Sequence, residues 1–308
     1  MRPFSAFSAP GKWFRGNCHT HTHLSDGQQD AEEICEFYRE AGYAFVVLTD
    51  HRATQPEVAS LQRKGFLVIN GVELHPPVKS RAPVPHHILG IGVEAPVPAR
   101  QRKGVSARST IHWIRRNGGI AVYAHPYWSG HDMDQMKEGR SAFGVEVFNT
   151  VTEAVKGLGD SSVHLDHALR RGYRWRVFAA DDTHSTVRDG LGAWIMVRAK
   201  SLTRNAIMSA LRKGHFYASC GPEIHALAVR RGIARIACSP VSEIVWHTWG
   251  RHGRREASDG APITSADFKL SVLPPICKYL RIELTDAYGH KAWTQPIWRN
   301  NDTGRWTD

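Results

Sequence analysis

Between residues 12 and about 215, short apolar runs alternate with stretches of helical spacing, and that alternation leaves few folds open to the chain. The run "AFVVLTDH" is continuously apolar before its polar end, as a strand buried on both faces should be. "GFLVINGVELH", "HHILGIGV", "IAVYAHP", "FGVEVFNT", "RWRVFAADDTH", "GAWIMVRAK" and "HFYAS" read as further strands. Between them, "DAEEICEFYREAGY" spaces Ala31, Ile34, Cys35, Tyr38 and Ala41 as one face of a helix, with Gly42 placed to end it. "STIHWIRRNGG", "SSVHLDHALRRGY" and "LTRNAIMSALRKG" predict three more helices. The pattern argues an α/β fold with a largely parallel sheet.

From about residue 218 the helical spacing stops. "EIHALAVR", "IARIACS", "SEIVWHTW", "DFKLSVL" and "YLRIELTDAYGHKAW" are β segments separated by Gly, Pro, Ser and Asp, which predicts a small all-β, sandwich-like unit. The expected division is therefore 1–217 and 218–308, a large domain followed by a small one.

The chemistry sits where the apolar runs end. "GNCHTHTHLSDG" sets His19, His21 and His23 on alternate positions, which in a strand point the same way. Asp50 and His51 end one run, Glu73 follows "FLVIN", His125 ends "IAVYAHP", and Asp182 and His184 end "VFAADDTH". In parallel α/β folds functional side chains gather at the carboxyl ends of strands. His87 begins its strand, and only a reversed strand would bring it to the same end. Any one of these residues could be an ordinary hydrogen-bonded polar group, and an Asp of "DDTH" could cap a turn. Buried together without a cation, the set would cost several kcal/mol in unpaired polar groups. Metal ions would neutralise the carboxylates and take up the imidazole nitrogens.

Taken in order, "HTHTHLSDG", "TDH", "GVE", "HILG", "AHP" and "DDTH" resemble the PHP (polymerase and histidinol phosphatase) domain family over roughly residues 12–215. "PGKWFRGNCHTHTHLSDG", with the tail segments "FYASCGP" and "TDAYGHKAWTQPIW", resembles its CehA/McbA-like branch of carbamate hydrolases. The resemblance implies a distorted (β/α)7 barrel holding two or three divalent ions. Carried over residue by residue, the ligands would be His19, His21, Asp26, His51, Glu73, His87, His125, Asp182 and His184, with Glu73 bridging two ions. His23 falls at a variable position of the motif and is not a ligand.

Imidazole and carboxylate donors without thiolate suit Mn, Fe or Zn. Paired ions lower the pKa of water and steady both oxygens of an in-line displacement. The resemblance, the metal cluster and the positive charge together point to phosphoester hydrolysis by a hydroxide bridging two ions, with Glu73, Asp182 and His184 in catalytic roles. Arg52, Lys79, Arg81, Tyr127, His131 and Arg188 flank the motifs and are the candidate substrate-binding residues. A carbamate or ester hydrolase on the same metal site is the alternative reaction, and a non-catalytic metal-binding interaction protein is the alternative class.

The net charge of +11 fits a small anionic, phosphorylated substrate. The basic residues are scattered and no nucleic-acid-binding signature accompanies them, which argues against a nucleic-acid partner. Five cysteines without a CxxC pair argue against a disulfide framework or a thiolate zinc site. No apolar run is long enough to span a bilayer and the start lacks a signal-like apolar core, so a cytoplasmic location is expected, with the β tail a candidate surface for homo-oligomer formation.

Overall fold

The computed structural model describes residues 2–3, 5–301 and 303–307. Strands β1 (Lys12–Asn17), β2 (Phe45–Leu48) and β3 (Leu67–Asn70) pair in parallel. Two residues after β3 the chain forms the short strand β4 (Glu73–Leu74), which leads a second sheet through β5 (Ile88–Ile91), β6 (Ile120–Tyr123), β7 (Gly144–Asn149) and β8 (Arg176–Ala180). Isolated parallel bridges, His51 to Glu73 and Thr20 to Thr183, tie the two sheets together at both margins.

The sheets are mixed rather than largely parallel. β5 runs antiparallel to both β4 and β6. No helix separates β4 from β5, and a direct return of this kind reverses the strand. Strand β9 (Trp194–Ala199) is likewise antiparallel to β1 and to β10 (Phe216–Ser219).

Local sequence explains the helices that back these strands. Helix α1 (Ala31–Glu40) starts at a capping box in which Asp30 and Glu33 each take the other's backbone N–H, and it buries Ile34, Cys35 and Tyr38. Gly42, at φ 78°, follows its end. Helices α2 (Ala107–Arg116), α4 (Ser162–Arg170) and α5 (Arg204–Arg212) fall where the spacing predicts them. The seven-residue α3 (Thr150–Lys156) is an addition; Asn149 caps it through the Thr152 N–H, a start signal hidden inside an apolar strand reading. At Gly16 a Cβ would stand 2.2 Å from the Phe45 ring, so β1 and β2 meet only because that position has no side chain.

The tail is β throughout, apart from two single 3-10 turns. Its strands Ile224–Arg230, Ile233–Val241 and Ile263–Lys269 form one sheet with Arg2–Pro3. Glu243–His247, Arg254–Ala257, Tyr279–Thr285 and Lys291–Trp293 continue the sheet that contains β1 to β3, with Ile297–Arg299 and Trp306–Thr307 attached to it through Tyr279–Thr285. The join is β10, paired with β9 on one side and Lys291–Trp293 on the other. The expected boundary at residue 217/218 thus falls inside a strand. Leu227, Ile236 and Phe268 from one sheet and Trp246, Ile282 and Leu284 from the other share an apolar layer. All five cysteines are buried and unpaired. Among the described residues no helix is long and apolar enough to cross a membrane.

Candidate metal centre

Glu73 opens β4 with its side chain 1% exposed, and imidazoles face both of its oxygens. Oε1 lies 2.7 Å from His87 Nδ1 and 3.6 Å from His125 Nε2. Oε2 lies 2.7 Å from His51 Nδ1, 3.5 Å from His19 Nε2 and 3.6 Å from His21 Nε2. Asp182 Oδ1 stands 3.1 Å from Nε2 of both His19 and His21, and its Oδ2 is 3.7 Å from His125 Nε2. Asp26 completes the group, with His51 Nε2 at 3.2 Å, His184 Nε2 at 3.5 Å and His21 Nδ1 at 3.7 Å. The structure thus brings all nine expected ligands into one cluster. The reversed direction of β5 is what carries His87 to it.

These separations suit shared cations. Two donors each about 2.0–2.1 Å from one ion stand about 3.4 Å apart at a tetrahedral angle. Contacts of 3.5 and 3.6 Å to Glu73 are near that value and too long for good hydrogen bonds. His51 Nδ1 and Glu73 Oε2 lie 2.7 Å apart, yet neither atom makes a hydrogen bond of acceptable geometry. His19 Nε2 is also buried without a partner. Orphaned buried donors and acceptors are costly unless something else satisfies them, and divalent ions fit this donor set.

The unshared edges of the ligands are fixed by the protein. His19 Nδ1 lies 2.7 Å from Glu146 Oε1, which leaves Nε2 for an ion. Glu146 Oε2 accepts from the His125 backbone N–H at 3.1 Å and from Asn149 Nδ2 at 3.0 Å. Asn149 Nδ2 also reaches Asp182 Oδ2 at 3.2 Å. His184 Nδ1 stands 2.7 Å from the Asp182 carbonyl, which can only accept, so the neutral ring keeps its lone pair on Nε2. Asp50 accepts from the Thr22 N–H at 2.7 Å, Ser25 Oγ at 2.8 Å and Gln55 Nε2 at 2.8 Å, and so ties down the loop that presents Asp26. Gly27 lets that loop close, because a Cβ there would stand 2.6 Å from the His21 carbonyl. Backbone strain collects here as well. Arg52, His125 and Asp182 have φ of 56°, 23° and 61°, a region that costs non-glycine residues about 1–3 kcal/mol each.

Burial and the facing charges set the electrostatics of the cluster. Burial opposes a charge on His51, yet Asp26 and Glu73 outweigh it and push the ring up to about 10. His184 is pushed up to about 9, with Asp26 and Asp182 prevailing over burial. Against the upward pull of their own burial, the surrounding imidazoles hold Glu73 and Asp182 well below the usual carboxylate range. His87 goes the other way, lowered to about 4 by burial.

A cavity of about 290 Å3 is lined by Asp26, His51, Glu73, His87, His125, Asp182 and His184, with Trp128, Val151, Thr152 and Val155 forming the rest of its wall. None of the six candidate substrate residues is in that lining. His131 is buried, its Nδ1 2.8 Å from Tyr123 Oη and its Nε2 3.1 Å from the Val84 carbonyl, so both nitrogens are engaged elsewhere. Tyr127 is 44% exposed beside His164. Arg52, Lys79, Arg81 and Arg188 are exposed on the flanking loops. His23 is exposed with its Nε2 toward the Gln28 carbonyl, outside the cluster.

Sequence reasoning missed Glu146, Asn149, His75 and the apolar wall. A glutamate inside the otherwise apolar "FGVEVFNT" was the available signal for the first. For His75 the available signal was a histidine two residues beyond Glu73, just past the end of β4.

No protein-family model and no curated protein matches the sequence. Among solved structures, the chain is similar to a two-domain protein from Bacteroides vulgatus containing a predicted PHP-like metal-dependent phosphoesterase. The TM-score is 0.52 and the identity 15%, over 93% of this chain and 95% of that one. At that identity the likeness is one of fold. Two further matches are an amidohydrolase from Chromobacterium violaceum (TM-score 0.43, 17% identity, 55% of this chain and 87% of that one) and a protein from Bifidobacterium adolescentis provisionally described as a metal-dependent phosphoesterase (TM-score 0.45, 15% identity, 64% and 96%).

Proposed function

We propose that the chain is a metal-dependent hydrolase of the PHP type, with a distorted seven-stranded barrel and a β tail, acting on a small phosphoester. One observation carries this reading. Asp26, Glu73 and Asp182 line one cavity, and among the described residues every ion-pair partner they have is an imidazole. With no lysine or arginine to balance three carboxylates, divalent ions are the natural counter-charge. Glu73, offering one oxygen to each side, holds the centre together. The fold likeness to the Bacteroides protein supports the same assignment.

When bound, the ions would supply an activated water and positive charge for the phosphoryl oxygens. The chain's residues do the rest. Asp26 and His184 stand at the open side of the cluster, where the Asp182 carbonyl holds His184 Nδ1 and leaves Nε2 to hold an ion beside the substrate. Asp182, held by Asn149 at Oδ2, would hold an ion together with Nε2 of His19 and His21. Trp128, Val151 and Val155 keep bulk water from one side of the cavity.

The apolar wall gives the second reading its footing. A cavity lined by Trp128 and two valines, with none of the expected basic residues, also suits an aryl carbamate or ester. A panel of phosphomonoesters, phosphodiesters and aryl carbamates, assayed with Mn, Fe and Zn, separates the two. Phosphoester turnover that is abolished by chelation and restored by metal is the expected result. Turnover of carbamates alone would transfer the assignment to the second reaction.

A further inference from the structure

His75 stands two residues beyond Glu73, just past the end of β4. Its side chain is 7% exposed, and Nδ1 and Nε2 are both buried without a hydrogen-bond partner. A neutral imidazole has one donor and one acceptor, and leaving both unmet costs about 1–3 kcal/mol for each group. Nε2 lies 3.6 Å from Glu73 Oε2, the same separation that His21 Nε2 keeps from that oxygen. The ring packs between His51 and His87, with centroids 4.5 and 4.4 Å away. His75 is absent from the cavity lining, although His51, Glu73 and His87 are present in it. In this it resembles His19 and His21, which belong to the cluster without lining the cavity.

His51 leaves an opening for such a donor. Its Nε2 faces Asp26 at 3.2 Å, so only its Nδ1 is turned to Glu73 Oε2. If the His51 ring binds an ion through Nε2 beside Asp26, His75 Nε2 is a further nitrogen, with those of His19 and His21, within reach of an ion beside Oε2. His51, Glu73 and His75 offer donor atoms that all lie within 4.8 Å of one another. We infer that His75 is a tenth metal-binding residue, supplying Nε2 to the ion held at Glu73 Oε2. The inference rests on the metal-dependent reading above and adds a ligand that the sequence motifs do not contain.

The test is Co(II) titration of chelated wild type and His75→Ala, following visible absorption and bound metal per chain. The expected result is that the variant binds one ion about 10- to 100-fold more weakly and loses part of the Co(II) absorption. Its metal-free form should melt no lower than wild type, because an unpartnered imidazole has been removed, while the rise in Tm on adding metal shrinks. His75→Gln, which keeps polar volume, serves the same measurement should the alanine variant fail to fold. Identical stoichiometry, affinity and spectrum in wild type and variant would overturn the role of His75 alone. A wild type that takes up no Co(II) would overturn this inference together with the proposed function.

Discussion

Two buried clusters of charge among the described residues are balanced in opposite ways. Between α4 and the tail strands, Arg281 is fully buried and grips Asp166 with two hydrogen bonds, at 2.7 and 2.9 Å, and Glu283 with a third at 2.9 Å. Lys291 adds ion pairs to Glu283 at 3.1 Å and to Asp160 at 2.7 Å. There the chain provides arginine and lysine as its own cations. At the cluster around Glu73 the described residues provide only imidazoles, and His19 Nε2, His51 Nδ1 and Glu73 Oε2 are buried without a hydrogen bond of acceptable geometry. The first cluster is balanced by arginine and lysine, whereas the second lines a cavity and is not. The difference marks the first cluster as structural and the second as a place for external ions.

Removing the centre of each cluster should break the comparison in different ways. Glu73→Gln should weaken metal binding by more than about 100-fold and abolish hydrolysis, with the metal-free fold retained, as read by metal analysis and circular dichroism. Arg281→Met should do the reverse. Loss of a buried ion partner costs about 3–5 kcal/mol of stability, visible in urea unfolding, while bound metal per folded chain stays at the wild-type value. Equal metal loss in both variants would show that the clusters are one system.

A subtler change is Glu146→Gln, which takes the charge from the residue facing His19 Nδ1. Metal affinity should fall by about 10- to 100-fold without a change in stoichiometry.

Acidity gives the next contrast. In the metal-free chain His51 and His184 are pushed up to about 10 and 9, above a free imidazole, so both are charged at neutral pH. Their pairing with Asp26 stabilises the metal-free state fully below about pH 6.5. That contribution is lost as pH rises through about 9 to 10. Divalent ions must displace these protons, so affinity should rise with pH over the same range. Calorimetry in buffers of different ionisation enthalpy should register proton release at pH 7. The smallest effect belongs to His23→Ala, which should change metal content and turnover by less than about twofold.

Much of this site was legible in the sequence because strand ends place side chains in a predictable way. His19 and His21, Glu73, His125 and Asp182 follow apolar runs, and the rule that such ends converge brought them together on paper. His87 required a reversed strand, and the absence of a helix between β4 and β5 already implied one. Substrate residues were harder, because a loop residue beside a motif in sequence can point anywhere. His131 turns inward to Tyr123 and Val84, and the arginines turn outward. The largely parallel sheet failed because the spacing that identifies a strand says nothing of its direction. The division near residue 217 failed to anticipate β10, whose edges pair with strands from both sides of it.

The most direct test is metal analysis of the purified chain before and after chelation and reloading with Mn, Fe or Zn. The account predicts more than one divalent ion per chain, removed together with phosphoester turnover by chelation and restored with it by metal. A folded chain that binds no ion under these conditions, and hydrolyses its substrate all the same, would contradict it.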